Sequence, residues 1–152
     1  MEKYDPEMAK RVWQRVQGEA APVTAAAPSV QALAAAELEQ AASLLQLSRQ
    51  LQGREKTLLR RLYEEDKSHG AMLQGIQLLT AGKCPPIRTA PVKQTSPEIA
   101  LRKCYGAALR AMKEYENRMA DPEYGAAFAE LARQERVHCG LILEVLGGLT
   151  RI

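Results

Sequence analysis

Histidine is the scarcest chemistry-bearing residue here, two in 152 residues. Aromatic residues make up only 5% of the chain, with one Phe and one Trp. β-Branched residues are also thin, which argues against a sheet. Cys84, Cys104 and Cys139 are odd in number and form no C-x-x-C pair. They indicate neither a disulfide framework nor a thiolate-ligated zinc or iron site, and a reducing cytoplasm suits them. The formal charge is +3, and Lys and Arg are interleaved with Asp and Glu instead of gathered in a block. That gives no electrostatic case for nucleic acid. No apolar run approaches the length of a membrane span, and the opening MEKYDPEMAKRVWQRVQGEA lacks the apolar core of a signal peptide. The expectation is a soluble, cytoplasmic protein with neither nucleic acid nor membrane as partner.

What is abundant is Ala, Leu, Glu, Gln, Lys and Arg, the strong helix formers, so the expected class is all-α. With 46% hydrophobic residues, a chain of this length builds one domain with a real core. Residues 1–28 read as a short amphipathic helix, about Pro6 to Gln17, followed by an Ala/Pro linker; residues 29–152 read as a four-helix bundle. In the N-terminal segment Met8, Val12, Trp13 and Val16 share a side. That side suits a helix capping the bundle or swapping onto a second subunit, so a homodimer is expected.

Four long helical patterns follow. The first, about Ser29 to Gln52, begins at a Ser29 cap and carries Glu37, Ala41, Leu44, Ser48 and Leu51 on one stripe, with Gly53 as its stop. The second, about Arg54 to Ala81, carries Leu58, Leu62, Asp66, His69, Leu73 and Ile76 and ends at Gly82. Next comes KCPPIRTAPVKQT, where the prolines forbid a helix. Ser96-Pro97-Glu98 reopens the pattern as cap, first-turn proline and dipole-facing acid. The third helix runs to about Ala120, with Leu101, Tyr105, Ala108, Met112, Tyr115 and Met119 inward. After Asp121-Pro122 the fourth runs from about Glu123 to Leu146, with Phe128, Leu131, Glu135, His138, Ile142 and Val145 inward, and Gly147-Gly148 closes it. A helix of about 28 residues is roughly 42 Å long, and an extended linker of about 14 residues reaches roughly 50 Å. The proline-rich segment is therefore just long enough to cross the whole bundle and join two helical hairpins; the plainer reading is a loose link in an up-down bundle.

Both histidines follow an acid by three residues, Asp66-x-x-His69 and Glu135-x-x-His138. With eighteen Asp and Glu in the chain, composition alone produces that coincidence roughly once in seventy. On a helix each acid shares a face with its histidine, and both pairs sit on apolar stripes. The residues Leu62, Asp66, His69, Leu73 and Ile76 map onto Leu131, Glu135, His138, Ile142 and Val145, as an internal repeat of two hairpins would give. Ionised acids among leucines cost several kcal/mol unless paired, and a divalent metal would pair them. Counting back from the turn near Gly53 sets Glu37 level with Asp66.

With these residues the sequence resembles a ferritin-like protein of the rubrerythrin type over roughly residues 30 to 149, through Glu37, LLRRLYEEDKSH and FAELARQERVH. The resemblance implies a four-helix bundle binding two iron or manganese ions through Glu37, Asp66, His69, Glu135 and His138. It also implies iron oxidation, peroxide reduction or O2 activation as the activity. Two departures stand out. Asp66 replaces the usual Glu and shortens the reach by about 1.5 Å. The position level with Glu135, near Gly106, has no acid, and Tyr105 beside it is either a site residue or core packing. With no rubredoxin-like module, a redox cycle would draw on an external electron donor. The alternative is a metal-free bundle serving as a structural or interaction module.

Overall fold

Ser29 opens the first helix: its hydroxyl accepts the Ala32 amide at 3.0 Å, supplying one of the partners that a helix start lacks. The computed structural model describes residues 27–150; the expected N-terminal helix and all but the last two residues of its linker lie outside them. Four helices follow in order: α1 Val30–Ser48, α2 Gly53–Ala81, α3 Pro97–Glu116 and α4 Gly125–Leu149. Among the described residues there is no strand, and no helix is long and apolar enough to cross a membrane.

Three helix boundaries differ from the sequence reading, one being the end of α3, at Glu116 instead of about Ala120. Gly53 does not stop α1. The first helix ends at Ser48, and Gly53, at φ 62°, begins α2 after a tight turn in which Leu51 stays buried. Nor do Gly147 and Gly148 close α4, which continues to Leu149. A Cβ on Gly148 would meet only the flexible end of the Glu55 side chain, 2.7 Å from Oε1, so this glycine sits within the helix and terminates nothing. Gly82 does end α2, in the left-handed region at φ 72°. Ser96 caps α3 through the Ile99 amide at 3.3 Å, with Pro97 in the first turn.

α1 pairs with α2 and α3 with α4; across the pairs, α1 touches α3 and α2 touches α4. α2 and α3 therefore lie on a diagonal, and residues 83–96 cross the bundle as extended chain. Near its start Pro85 accepts from Gln31 at the head of α1, and residues 90–95 lie beside Gln46 and Gln50 near the tail of α1. This is the long crossover between hairpins, not the simple up-down link.

The core falls into two apolar halves. One gathers Leu44, Leu47, Leu59, Leu62, Leu101, Cys104, Ile142 and Val145; the other gathers Leu33, Ala34, Leu73, Ile76, Tyr115, Phe128 and Leu131. Between them, on the inner stripes of α1, α2 and α4, lie the buried polar residues Glu37, Asp66, His69, Glu135 and His138. Along α3 the buried face runs Leu101, Cys104, Ala108 and Tyr115; the expected Tyr105 and Met112 are half-buried and Met119 is exposed.

The turn between α3 and α4 is fixed by close approach. A Cβ on Gly125 would stand 2.4 Å from the Met119 carbonyl oxygen. Gly125→Ala is expected to destabilise the protein by about 1–3 kcal/mol through overpacking against backbone, as urea unfolding would measure.

Candidate metal centre

The internal repeat delivers its chemistry to one place. Asp66 and His69 from α2 and Glu135 and His138 from α4 are all buried, and each offers a ligand atom within 4.8 Å of all the others. Such a group can hold a metal ion. α1 adds Glu37, whose Oε2 lies 3.6 Å from His69 Nδ1. The two imidazoles stack with centroids 5.2 Å apart.

Both rings turn Nδ1 inward. His138 Nδ1 lies 3.1 Å from Asp66 Oδ1 and 3.7 Å from Glu135 Oε2. His69 Nδ1 lies 3.2 Å from Glu135 Oε1 and 3.7 Å from Asp66 Oδ1. Despite the short approach to His138, Asp66 Oδ1 has no bond of hydrogen-bond geometry and is one of two buried side-chain polar atoms without a partner among the described residues. An orphaned carboxylate oxygen costs about 1–3 kcal/mol, more when charged, and a cation among these atoms removes that cost.

The outward nitrogens are held by residues the sequence reading passed over. His69 Nε2 is 2.5 Å from Gln134 Oε1, and His138 Nε2 is 2.7 Å from Glu65 Oε2. Each acceptor directly precedes the acid of its own repeat but serves the histidine of the other. An N–H given outward leaves an Nδ1 lone pair free to face the centre, the tautomer that metal ligation needs. The signal was present in the sequence: the repeat extends one residue earlier, to Glu65-Asp66-x-x-His69 and Gln134-Glu135-x-x-His138. Glu65 is drawn below the ordinary carboxylate range: burial opposes this, but bonds from His138 and Arg61 prevail.

The acids divide the charge unequally. Glu37 is held low, burial being outweighed by bonds with His69 and Glu135 and by the Tyr115 hydroxyl, which donates to Glu37 Oε1. Burial, with the charge of Glu37 added, lifts Asp66 to about 6 and Glu135 to about 9. His69 rises to about 11: burial opposes its charge, but the carboxylates of Glu135 and Glu37 overcome it. Burial also pushes Tyr115 well above the usual phenol range, so it stays a donor. Without a cation, the cluster thus keeps protons on His69 and Glu135 at neutral pH.

α3 supplies no acid. Ala107, Ala108 and Ala111 stand beside Glu37 and Glu135, whereas Gly106 lines the outer groove between α1 and α3. The α3 residues beside Glu135 are thus these alanines, of which Ala108 is buried, and not the expected Gly106. Tyr105 packs against the core half below the site, and the tyrosine that reaches the cluster is Tyr115.

Fold and cluster together define an all-α four-helix bundle with a buried carboxylate and imidazole group able to hold a metal ion. In comparisons with known proteins, no family model matches the chain, and no curated protein or solved structure is significantly similar to it. The class rests on the geometry.

Proposed function

We propose that the chain is a ferritin-like metal-binding protein in which Glu37, Asp66, His69, Glu135 and His138 hold iron or manganese, as one ion or two. The proposed use is rubrerythrin-like iron oxidation or peroxide and O2 chemistry, with electrons from an external donor. The observation that carries this reading is the unpartnered Asp66 Oδ1 beside two imidazoles whose Nδ1 atoms face inward and whose Nε2 atoms are held from outside. Mixed carboxylate and imidazole donors without thiolate suit iron or manganese. When bound, such a metal supplies a redox couple and a Lewis acid.

The chain's own residues do the rest. Tyr115 fixes Glu37, Gln134 and Glu65 fix the two rings, and the apolar halves above and below keep bulk water from the acids. Cys84, Cys104 and Cys139 are all free thiols, which fits a reducing cytoplasm. A metal-free structural bundle is the competing reading, favoured by one observation: α3 presents alanines where an acid would complete the site.

Elemental analysis of protein purified without oxygen separates the two. About one to two equivalents of iron or manganese per chain are expected. A metal-free protein whose melting temperature ignores added Fe(II) and Mn(II) would sink the proposal. Glu65→Ala, which frees His138 Nε2, is expected to weaken metal binding by about 10- to 100-fold, as a chelator competition titration would report.

A further inference from the structure

The missing acid of α3 leaves a space. Ala107, Ala108 and Ala111, with Glu37, Glu135 and the exposed Ala36, line a partly open void of about 30 Å³. One water needs about 10–15 Å³ on this measure, so the void admits a ligand of two or three heavy atoms. A second cavity of about 530 Å³ opens between α1 and α3 beneath the crossover. Gln40 and Ala107 line both cavities, so these two residues stand between them.

Gln40 is half-buried and donates its side-chain N–H to the Cys104 carbonyl at 2.8 Å. That carbonyl also closes a turn of α3 onto Ala108, so Gln40 can swing away without stripping the helix of a bond. The outer groove is lined by Lys93, Arg102, Lys103 and Arg110 against one acid, Glu39. It favours anions. Inside the void, however, an anion meets Glu37 and Glu135 and is repelled unless a cation sits among them.

We propose that the alanine-lined void seats a small exogenous anion, a carboxylate the size of formate or a triatomic anion such as azide. The anion enters from the basic groove past Gln40 and supplies the ligand that α3 lacks. The inference rests on the metal-binding reading above, and it makes anion binding strictly dependent on metal.

The test uses the full chain loaded with Co(II), whose visible absorption reports its ligands. Formate and azide are expected to change that spectrum saturably, and calorimetry should detect no binding of either anion to the metal-free chain. Ala108→Asp, which places a carboxylate in the void, is expected to tighten Co(II) binding by roughly 10- to 100-fold and to abolish the response to both anions. Ala107→Leu, which fills the seat with a larger side chain, should weaken the response to both anions, and an unchanged response would count against this seat. If Co(II) binds and neither anion alters its spectrum, the inference falls while the metal reading stands. An undiminished response in Ala108→Asp would place the anion elsewhere and also overturn it. If Co(II) does not bind at all, the metal reading fails and takes the inference with it.

Discussion

Changing His69 and His138 together to Ala is expected to empty the centre, lowering metal affinity by at least roughly a hundred- to ten-thousand-fold. The lower figure follows if each lost imidazole costs no more than the smallest effect of removing an outer partner, about tenfold. Both rings direct Nδ1 at the same group of carboxylate oxygens, so nothing nearby replaces them. Helix content should survive, because the two apolar core halves contain neither histidine. The cost in stability should stay near about 1–3 kcal/mol per abandoned partner, here Glu135 and Gln134 for His69 and Glu65 for His138. Metal content by elemental analysis, beside circular dichroism of the same samples, makes the comparison. A variant that folds and keeps the wild-type metal content would move the site away from these residues.

The second large effect is on pH. At pH 7.5 Asp66, at about 6, has lost its proton, while Glu135, at about 9, and His69, at about 11, still hold theirs. Ligation through these three requires an ionised acid and a neutral ring, so capture of a metal between pH 6 and pH 9 expels about two protons. Affinity should then rise by roughly a hundredfold per pH unit across that window. Proton release in weakly buffered titrations checks the number.

The metal-free protein should show the opposite slope. Asp66, Glu135 and His69 all have pKa values raised by folding. The stability they contribute is full below their unfolded values and is lost as pH rises through about 6, about 9 and about 11 in turn. Glu37, shifted down, contributes above its ordinary value and loses that contribution only on acidification. Between pH 5 and pH 9 the melting temperature of the metal-free protein should therefore fall, while that of the metal-loaded protein rises. Parallel slopes would show that protons and metal do not compete for one site.

Most of the bundle was readable because its helices bury single stripes. Glu37, Ala41, Leu44, Ser48 and Leu51 are all buried, and the acid and histidine pairs converge as their shared periodicity requires. α3 was read less well. From Leu101 the inward step can be three or four residues, and nothing in the local pattern distinguishes Cys104 from Tyr105. Packing decides it: Cys104 and Ala108 are small enough to sit against α1, where Gln40 bonds the Cys104 carbonyl. Counting back from the turn near Asp121 set the level of Glu135 near Gly106, whereas Ala107, Ala108 and Ala111 are the α3 residues that stand beside it. The glycines misled for a related reason. Gly148 lies inside α4 and Gly53 opens α2, and composition alone reads both as stops. Glu65 and Gln134 lie one position off the inner stripe, so a search confined to that stripe passes over them.

The crossed bonds of Glu65 and Gln134 have a bearing on assembly. Each hairpin carries an acid and a histidine, yet the group that orients each ring belongs to the opposite hairpin. A half-chain would therefore present donors with unfixed rings and hold metal poorly. On the proposed metal reading, ion capture would then follow the docking of the halves instead of driving it, the reverse of small zinc modules that fold only around their ion. In such an order the folded scaffold acts as a checkpoint: a chain with its hairpins misaligned offers no competent cage and releases the metal to others.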